Sequence, residues 1–220
     1  MRSTRISRTL FAVVFSAVGL CFAGRVLSDD KPAAPQGMPS PAEMKAMMDK
    51  WAKVARPNEH HKHLEVFVGS WNTTMKMWMA GPSAPPSEFK GTAEVKWIMD
   101  GRYIMEEYKG QSIFPDENGV PKPVPHNGIA ITGYDAFRNM YVGSWCDNLG
   151  TAMLSLRGVR EPSGKSFTFY AEMDEPMLDV VGRMIKAVHR IEGKDKHVME
   201  VYDLAVGDHY KVFEIEYVRK

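Results

Sequence analysis

The sequence predicts an all-β domain, an antiparallel up-and-down barrel of about ten strands preceded by one N-terminal helix. Three observations lead there. Apolar and polar residues alternate with period 2 over long stretches, as strands with one dry face require. Turn-forming residues recur at short, regular intervals. Between them no helical segment is long enough for a parallel crossover, so successive strands are antiparallel neighbours. Closing such a meander into a barrel removes the edges it would otherwise expose.

In chain order, residues 1–28 read as a secretory signal peptide. Arg2, Arg5 and Arg8 form a cationic start, and Thr9 to Gly24 is uncharged, mostly apolar and ends in small residues. The run falls short of the roughly 20 apolar residues of a transmembrane helix. Cleavage after Ala23 or Ser28 would leave the mature chain in the periplasm or outside the cell. A lipoprotein reading centred on Cys21 is disfavoured by the bulky Leu20 before it. Cys21 leaves with the signal or sits at its edge, so Cys146 has no partner and stability must come from packing.

Residues 29–39 are rich in Pro and Ala, a linker composition. Residues 40–57 carry an amphipathic helix. Ser40-Pro41-Ala42-Glu43 is a capping-box pattern with Pro at the first helical position, and Pro57 stops the run. Met44, Met47, Met48, Trp51 and Val54 recur at helical spacing. A stripe of this kind is expected to pack on its own domain, the alternative being a partner or membrane surface.

Residues 58–220 make the barrel. Phe89, Gly91, Ala93, Val95 and Trp97 alternate with Lys90, Thr92, Glu94 and Lys96. Phe167, Phe169, Ala171 and Met173 alternate with Ser166, Thr168, Tyr170 and Glu172, and Lys211, Phe213, Ile215, Tyr217 and Arg219 share one face. Turns are signalled at Ala80-Gly81-Pro82, Asp100-Gly101, Arg138-Asn139, Asn148-Leu149-Gly150, Pro162-Ser163-Gly164, Glu192-Gly193-Lys194 and Val206-Gly207-Asp208. The prolines and glycine between Ile113 and Asn127 predict a long loop, a lid or rim element over one barrel end.

Composition narrows the function. With 44% hydrophobic and 25% charged residues the chain is an ordinary globular one. Its 28 Lys+Arg against 27 Asp+Glu exclude the strongly basic footprint of a nucleic-acid binder. Losing Arg2, Arg5, Arg8 and Arg25 with the signal would take the formal charge from +1 to −3.

Several motifs in order carry a family resemblance: His61-x-x-Leu64-x-x-Phe67-x-Gly69-x-Trp71, Trp97-Ile98-Met99-Asp100-Gly101-Arg102-Tyr103, Gly133-Tyr134-Asp135, and Trp145-Cys146-Asp147-Asn148-Leu149-Gly150-Thr151. Over roughly residues 58 to 219 the chain resembles a family of exported bacterial proteins of unknown function, itself similar to the calycin barrels, which include lipocalins and the haem-binding nitrobindin-like proteins. The resemblance implies that Gly69 and Trp71 open the first strand and that Arg219, from the last, covers the indole and closes one end. It implies structure and assigns no chemistry.

No catalytic centre is legible. Gly69-Ser70-Trp71 and Gly143-Ser144-Trp145 lack the second glycine of a nucleophile elbow, and Gly164-Lys165-Ser166 has Val159 where a phosphate loop needs its first glycine. Adjacent carboxylates such as Glu106 and Glu107 face opposite sides of a strand. His60, His61 and His63 cluster before the first strand without further ligands, so capping and surface roles are expected rather than a metal site. His197 and His209 stand beside turns and are expected at the surface. His189 is the inward candidate, and the nitrobindin comparison implies it as the residue that could ligate haem, although the sequence requires no cofactor. Asp147 is expected to cap the Asn148–Gly150 turn, with ligand contact as the alternative.

The expected function is recognition rather than turnover: a small, mostly apolar molecule held inside the barrel. The expected lining is Met75, Met77, Met79, Phe89, Trp97 and Trp145, with Glu106, Asp147, Arg157 and His189 as polar contacts. Two other readings are a filled barrel that acts through its surface and the Met44–Val54 helix, and a haem protein or enzyme using His189 or Asp147.

Overall fold

The computed structural model describes residues 39–78, 81 and 83–220. The expected signal peptide, all of the linker but Pro39, Met79, and Ala80 and Pro82 of the first turn lie outside the described residues. Two units are distinguished, Met1–Glu43 and Met44–Lys220. In the first, Ser40 and Glu43 complete the capping box: the Ser40 backbone N–H donates to Glu43 Oε2 at 2.8 Å, and the Glu43 N–H to Ser40 Oγ at 3.4 Å.

Helix α1 spans Pro41–Ala55 and buries none of its residues. The expectation that its apolar stripe packs on the domain is corrected here: Met47, Met48 and Trp51 are more than half exposed. Arg102 tethers its end, donating from Nε and Nη2 to the Ala55 carbonyl at 3.2 and 2.9 Å. A short helix α2 (Glu59–Lys62) and a 3₁₀ turn (His63–Phe67) follow. Asn58 caps α2 by accepting from the His60 N–H, while His61 Nδ1 accepts from the Asn58 N–H at 3.0 Å.

Ten strands then close into one antiparallel barrel in which each pairs with its sequence neighbours and the last pairs with the first: β1 (Gly69–Met77), β2 (Ser87–Ile98), β3 (Tyr103–Pro115), β4 (Pro121–Asp135), β5 (Met140–Asp147), β6 (Leu154–Arg160), β7 (Ser166–Glu175), β8 (Val180–Ile191), β9 (Lys196–Asp203) and β10 (Lys211–Arg219). The period-2 pattern sets the faces. Trp71, Thr73 and Met75 point inward from β1, opposite Arg219, Tyr217 and Ile215 of β10.

One end is plugged. Leu64 is fully buried and the Phe67 ring meets Phe167, His189 and His197 at centroid distances of 5.3, 5.6 and 5.1 Å. Trp71 is fully buried, donates Nε1–H to the Phe67 carbonyl at 2.8 Å, and lies under the Arg219 guanidinium at 4.1 Å. Arg219 also donates to the carbonyls of Val68 (2.9 Å) and Lys194 (2.8 and 3.1 Å), so one side chain ties the plug, β1 and the β8–β9 turn together. Gly69, at φ +136°, leaves the room that guanidinium occupies, where any Cβ would collide with it.

The expected loop at Ile113–Asn127 is instead the tip of the β3–β4 hairpin, paired as far as Pro115 opposite Pro121. Asp116 Oδ1 accepts from the N–H groups of Asn118 and Val120, and Gly119 supplies φ +76°. Pro121, Pro123 and Pro125 alternate, so their missing N–H groups all fall on one edge. Because β5 reaches only to Asp147, opposite Gly128, that edge has no partner strand and prolines are tolerated there.

Candidate functional site

The interior carries a polar row across its middle. On β3 the inward positions are Ile104, Glu106, Tyr108, Gly110 and Ser112. Glu106 faces Val95 of β2 and Ala130 of β4 in register, so neither neighbouring strand offers it a polar group. Its partner comes from β10: the Tyr217 hydroxyl donates to Glu106 Oε1 at 3.1 Å. Small residues make the reach possible, since β1 and β2 between them present Thr73, Gly91 and Ala93 on the same face.

Glu106 lies inward, is half-buried, and has no second hydrogen-bond partner among the described residues. Burial, only partly offset by the Tyr217 hydrogen bond, lifts its carboxyl to about 7. Burial, with Glu106 nearby, pushes Tyr217 well above its ordinary range, and Tyr108 is raised mainly by burial. The Tyr108 and Thr73 hydroxyls approach each other without completing a well-formed hydrogen bond, which leaves both buried donors unsatisfied.

His189 shows the same combination. It is enclosed between Phe67 and Phe169 (centroids 5.6 and 5.9 Å), has no hydrogen-bond partner among the described residues, and retains accessible area. Burial lowers it to about 4, so its imidazole is neutral at physiological pH. Met75, Ile215 and Met199 run in register with His189 across β1, β10 and β9 and form the apolar wall beside it.

The other expected site residues are distributed around this core. Met75 is inward and nearly fully buried, Phe89 is buried, and Met77 is inward and half-buried. Trp97 is half-buried at the plugged end, donating to Glu65 Oε2 at 2.6 Å, where it borders a cleft of about 460 Å³ with Pro57, His61 and Gly101. Trp145 lies inward across Gly128, whose missing side chain makes room for the indole.

Asp147 sits at the opposite end. It accepts from the Leu149 N–H and from Trp145 Nε1, both at 2.9 Å, and stands 3.3 Å from His126 Nε2, so it caps the turn and also fixes the indole. Burial raises its carboxyl, but these donors together hold it below the usual range.

Two expectations are corrected. Arg157 is exposed on the outer face of β6, opposite Val142 and Tyr170, because Leu154 and Leu156 set the inward phase. His197 is not at the surface: it is 3% exposed, stacked on Tyr217 at 4.2 Å and edge-on to Trp71 at 4.6 Å, under the plug that the short helices supply. Burial and the nearby His189 and Arg219 lower it to about 3, and both its ring nitrogens lack partners. His209 is exposed.

The three-histidine cluster serves packing. His63 Nδ1 pairs with the Tyr141 hydroxyl at 3.0 Å, His60 stacks on Tyr134 at 4.4 Å, and His61 completes the α2 cap. Among the described residues no group of three or more His, Cys, Asp or Glu is arranged to hold a metal. Nor does any described helix have the length and apolar character to cross a membrane, which says nothing of crossing by strands.

Tyr217, Tyr108 and Thr73 are site residues that sequence reasoning passed over. The signal was present, since Tyr217 alternates in phase with Phe213 and Ile215, and Thr73 with Trp71 and Met75.

A family model described as a protein of unknown function, DUF1579, matches residues 56–219. None of the curated proteins matches the sequence. Solved structures do. Rv2717c from M. tuberculosis is similar over 75% of this chain and 99% of its own, with 13% identity and a TM-score of 0.51, a likeness of fold. The S-type phycobiliprotein lyase CPES from Guillardia theta aligns over 77% of this chain and 96% of its own, with 13% identity and a TM-score of 0.45.

Proposed function

The chain belongs to the DUF1579 family, and from that premise we propose that it is an exported, calycin-like carrier that holds one small, mostly apolar molecule inside its barrel. The observation that supports this reading is the pair of inward polar side chains left open among apolar walls, Glu106 with one partner for its carboxyl and His189 with none among the described residues, the ordinary make-up of a ligand site. Strand number supports it, because eight strands already leave room for one small ligand and ten leave more. The Gly69, Trp71 and Arg219 closure supports the calycin comparison. The cationic start and apolar run of residues 1–28 support export.

Native mass spectrometry of protein purified gently from its own host, followed by denaturing analysis, tests the reading. A released small molecule is expected. A bare chain that also fails to enhance the fluorescence of N-phenyl-1-naphthylamine would overturn it.

A second reading, in which the protein acts through its surface, is favoured by one observation, the exposed Met47, Met48 and Trp51 face of α1. A haem reading has the neutral His189 imidazole to offer as ligand; of the inward arginines at the strand ends, Arg183 is paired with Asp203 at 2.7 Å, while Arg160 gives one bond to the Gly164 carbonyl and keeps an unpartnered Nε.

A further inference from the structure

We propose that the molecule held inside the barrel is a hydrophobic amine, with the Glu106 carboxylate as counter-ion to its ammonium group and the Tyr217, Tyr108 and Thr73 hydroxyls beside it. The inference rests on the interior-binding reading and narrows it to a chemical class.

The charges decide the class. Among the described residues, Glu106 is the ionisable carboxyl in the middle of the barrel, and its strand neighbours Val95 and Ala130 are apolar. The titratable groups that face it are Tyr217 from β10 and Tyr108 from its own strand, both hydroxyls and neither a cation. The arginines at inward positions lie at strand ends, away from Glu106: Arg160 gives one bond to the Gly164 carbonyl and keeps an unpartnered Nε, Arg183 pairs with Asp203, and Arg219 is held by the carbonyls of Val68 and Lys194. His189 and His197 are neutral, and His126, inward beside Tyr108, is turned to Asp147 at 3.3 Å. The groups that face Glu106 itself therefore offer hydroxyls and no cation.

An enclosed carboxylate is costly until a cation and hydrogen bonds compensate it. An alkyl ammonium supplies the charge, one N–H for the free Glu106 oxygen, and further donors for the hydroxyl oxygens. Its apolar remainder takes the wall of Met75, Ile215 and Met199. A carboxylate of the same length would bring a second negative charge to Glu106 with no basic residue to receive it. A neutral alcohol would fit the wall but leave the charge unpaired.

The test is displacement of N-phenyl-1-naphthylamine from the full mature chain by decylamine, decanol and decanoate, at pH 8.5 and pH 6, in wild type and Glu106→Gln. An alkyl ammonium stays protonated at both values, as lysine does. Decylamine is expected to bind at least tenfold more tightly than decanol at pH 8.5, with decanoate weakest. Protonation of Glu106 should cut that preference about tenfold at pH 6, and Glu106→Gln should abolish it, bringing decylamine and decanol to the same affinity. Decanol or decanoate equal to decylamine, or a preference that survives Glu106→Gln, would overturn the amine assignment while leaving the carrier reading standing. Failure of the dye to bind wild type, with a bare chain in native mass spectrometry, would remove both.

Discussion

Replacing Glu106 by Gln isolates the cost of an enclosed carboxyl, and the structure sets its size. Gln keeps an oxygen that can accept from the Tyr217 hydroxyl and has nearly the same shape, so packing changes little. The folded carboxyl holds its proton to about pH 7, whereas the unfolded chain releases it near 4.5. Between those values the folded state binds more protons, so wild-type stability is full below pH 4.5 and falls as pH rises to 7. At 1.36 kcal/mol per unit, the loss is about 3 kcal/mol. Glu106→Gln has no such loss. His189 and His197 act in the opposite sense, because their folded values lie below the ordinary one. Their contribution is present above pH 6.5 and lost on acidification, and it is common to both proteins and cancels in the difference. Urea unfolding of the two proteins in parallel from pH 4 to pH 8.5 reads that difference directly. The gap should open by about 3 kcal/mol in favour of Gln, most of it between pH 4.5 and 7. A gap constant within about 0.5 kcal/mol would mean that Glu106 is solvated like a surface carboxylate, and the internal-site argument would fail.

Further outcomes test the frame around the site. Trp71→Ala removes the fully buried plug and should cost about 3–5 kcal/mol by urea unfolding; a loss below about 1 kcal/mol would place the indole outside the core. Gly69→Ala meets both a positive φ and the Arg219 guanidinium, so a loss above about 1 kcal/mol is expected, and a neutral result would contradict that contact. His197→Phe removes two unpartnered ring nitrogens and an acid-sensitive group. It should unfold at lower pH than wild type in an acid titration followed by circular dichroism, and an unchanged acid midpoint would show that His197 does not drive acid unfolding. Trp51→Ser should leave the unfolding free energy within about 0.5 kcal/mol of wild type, because α1 buries nothing; a larger loss would mean that the stripe packs after all.

What could be read in advance follows from which interactions are local. Strand phase is local, so the alternation through Phe89–Trp97 and Phe167–Met173 placed those faces correctly, and the same rule applied to Leu154 and Leu156 would have put Arg157 outside. The β3–β4 hairpin was hidden because Pro121, Pro123 and Pro125 read as loop residues in isolation; only the short reach of β5 makes their edge harmless. The burial of His197 is hidden from the sequence for a related reason. A strand-end residue is exposed unless something covers it, and the covering Phe67 lies 130 positions earlier in a 3₁₀ turn too short to announce itself by periodicity. Glu106 was visible as a charge in an apolar run, but its Tyr217 partner, 111 positions away, appears only once the barrel closes.

The polar row is best understood as an addition that the barrel itself does not require. Closure is provided at the plugged end by Trp71, Phe67 and Arg219, all of whose polar atoms find partners there. The middle is built differently: Glu106 keeps an unpaired oxygen, Tyr108 and Thr73 leave hydroxyls unsatisfied, and His189 has no partner. Filling the same positions with apolar side chains would remove about 3 kcal/mol of charge burial at neutral pH and each orphaned hydrogen bond. A fold optimised only for its own stability has no use for these groups, whereas a lumen that must hold an apolar molecule in one orientation needs polar groups left open to it. Under the amine proposal that openness has a direction, because an enclosed carboxylate is stabilised when a cation binds beside it.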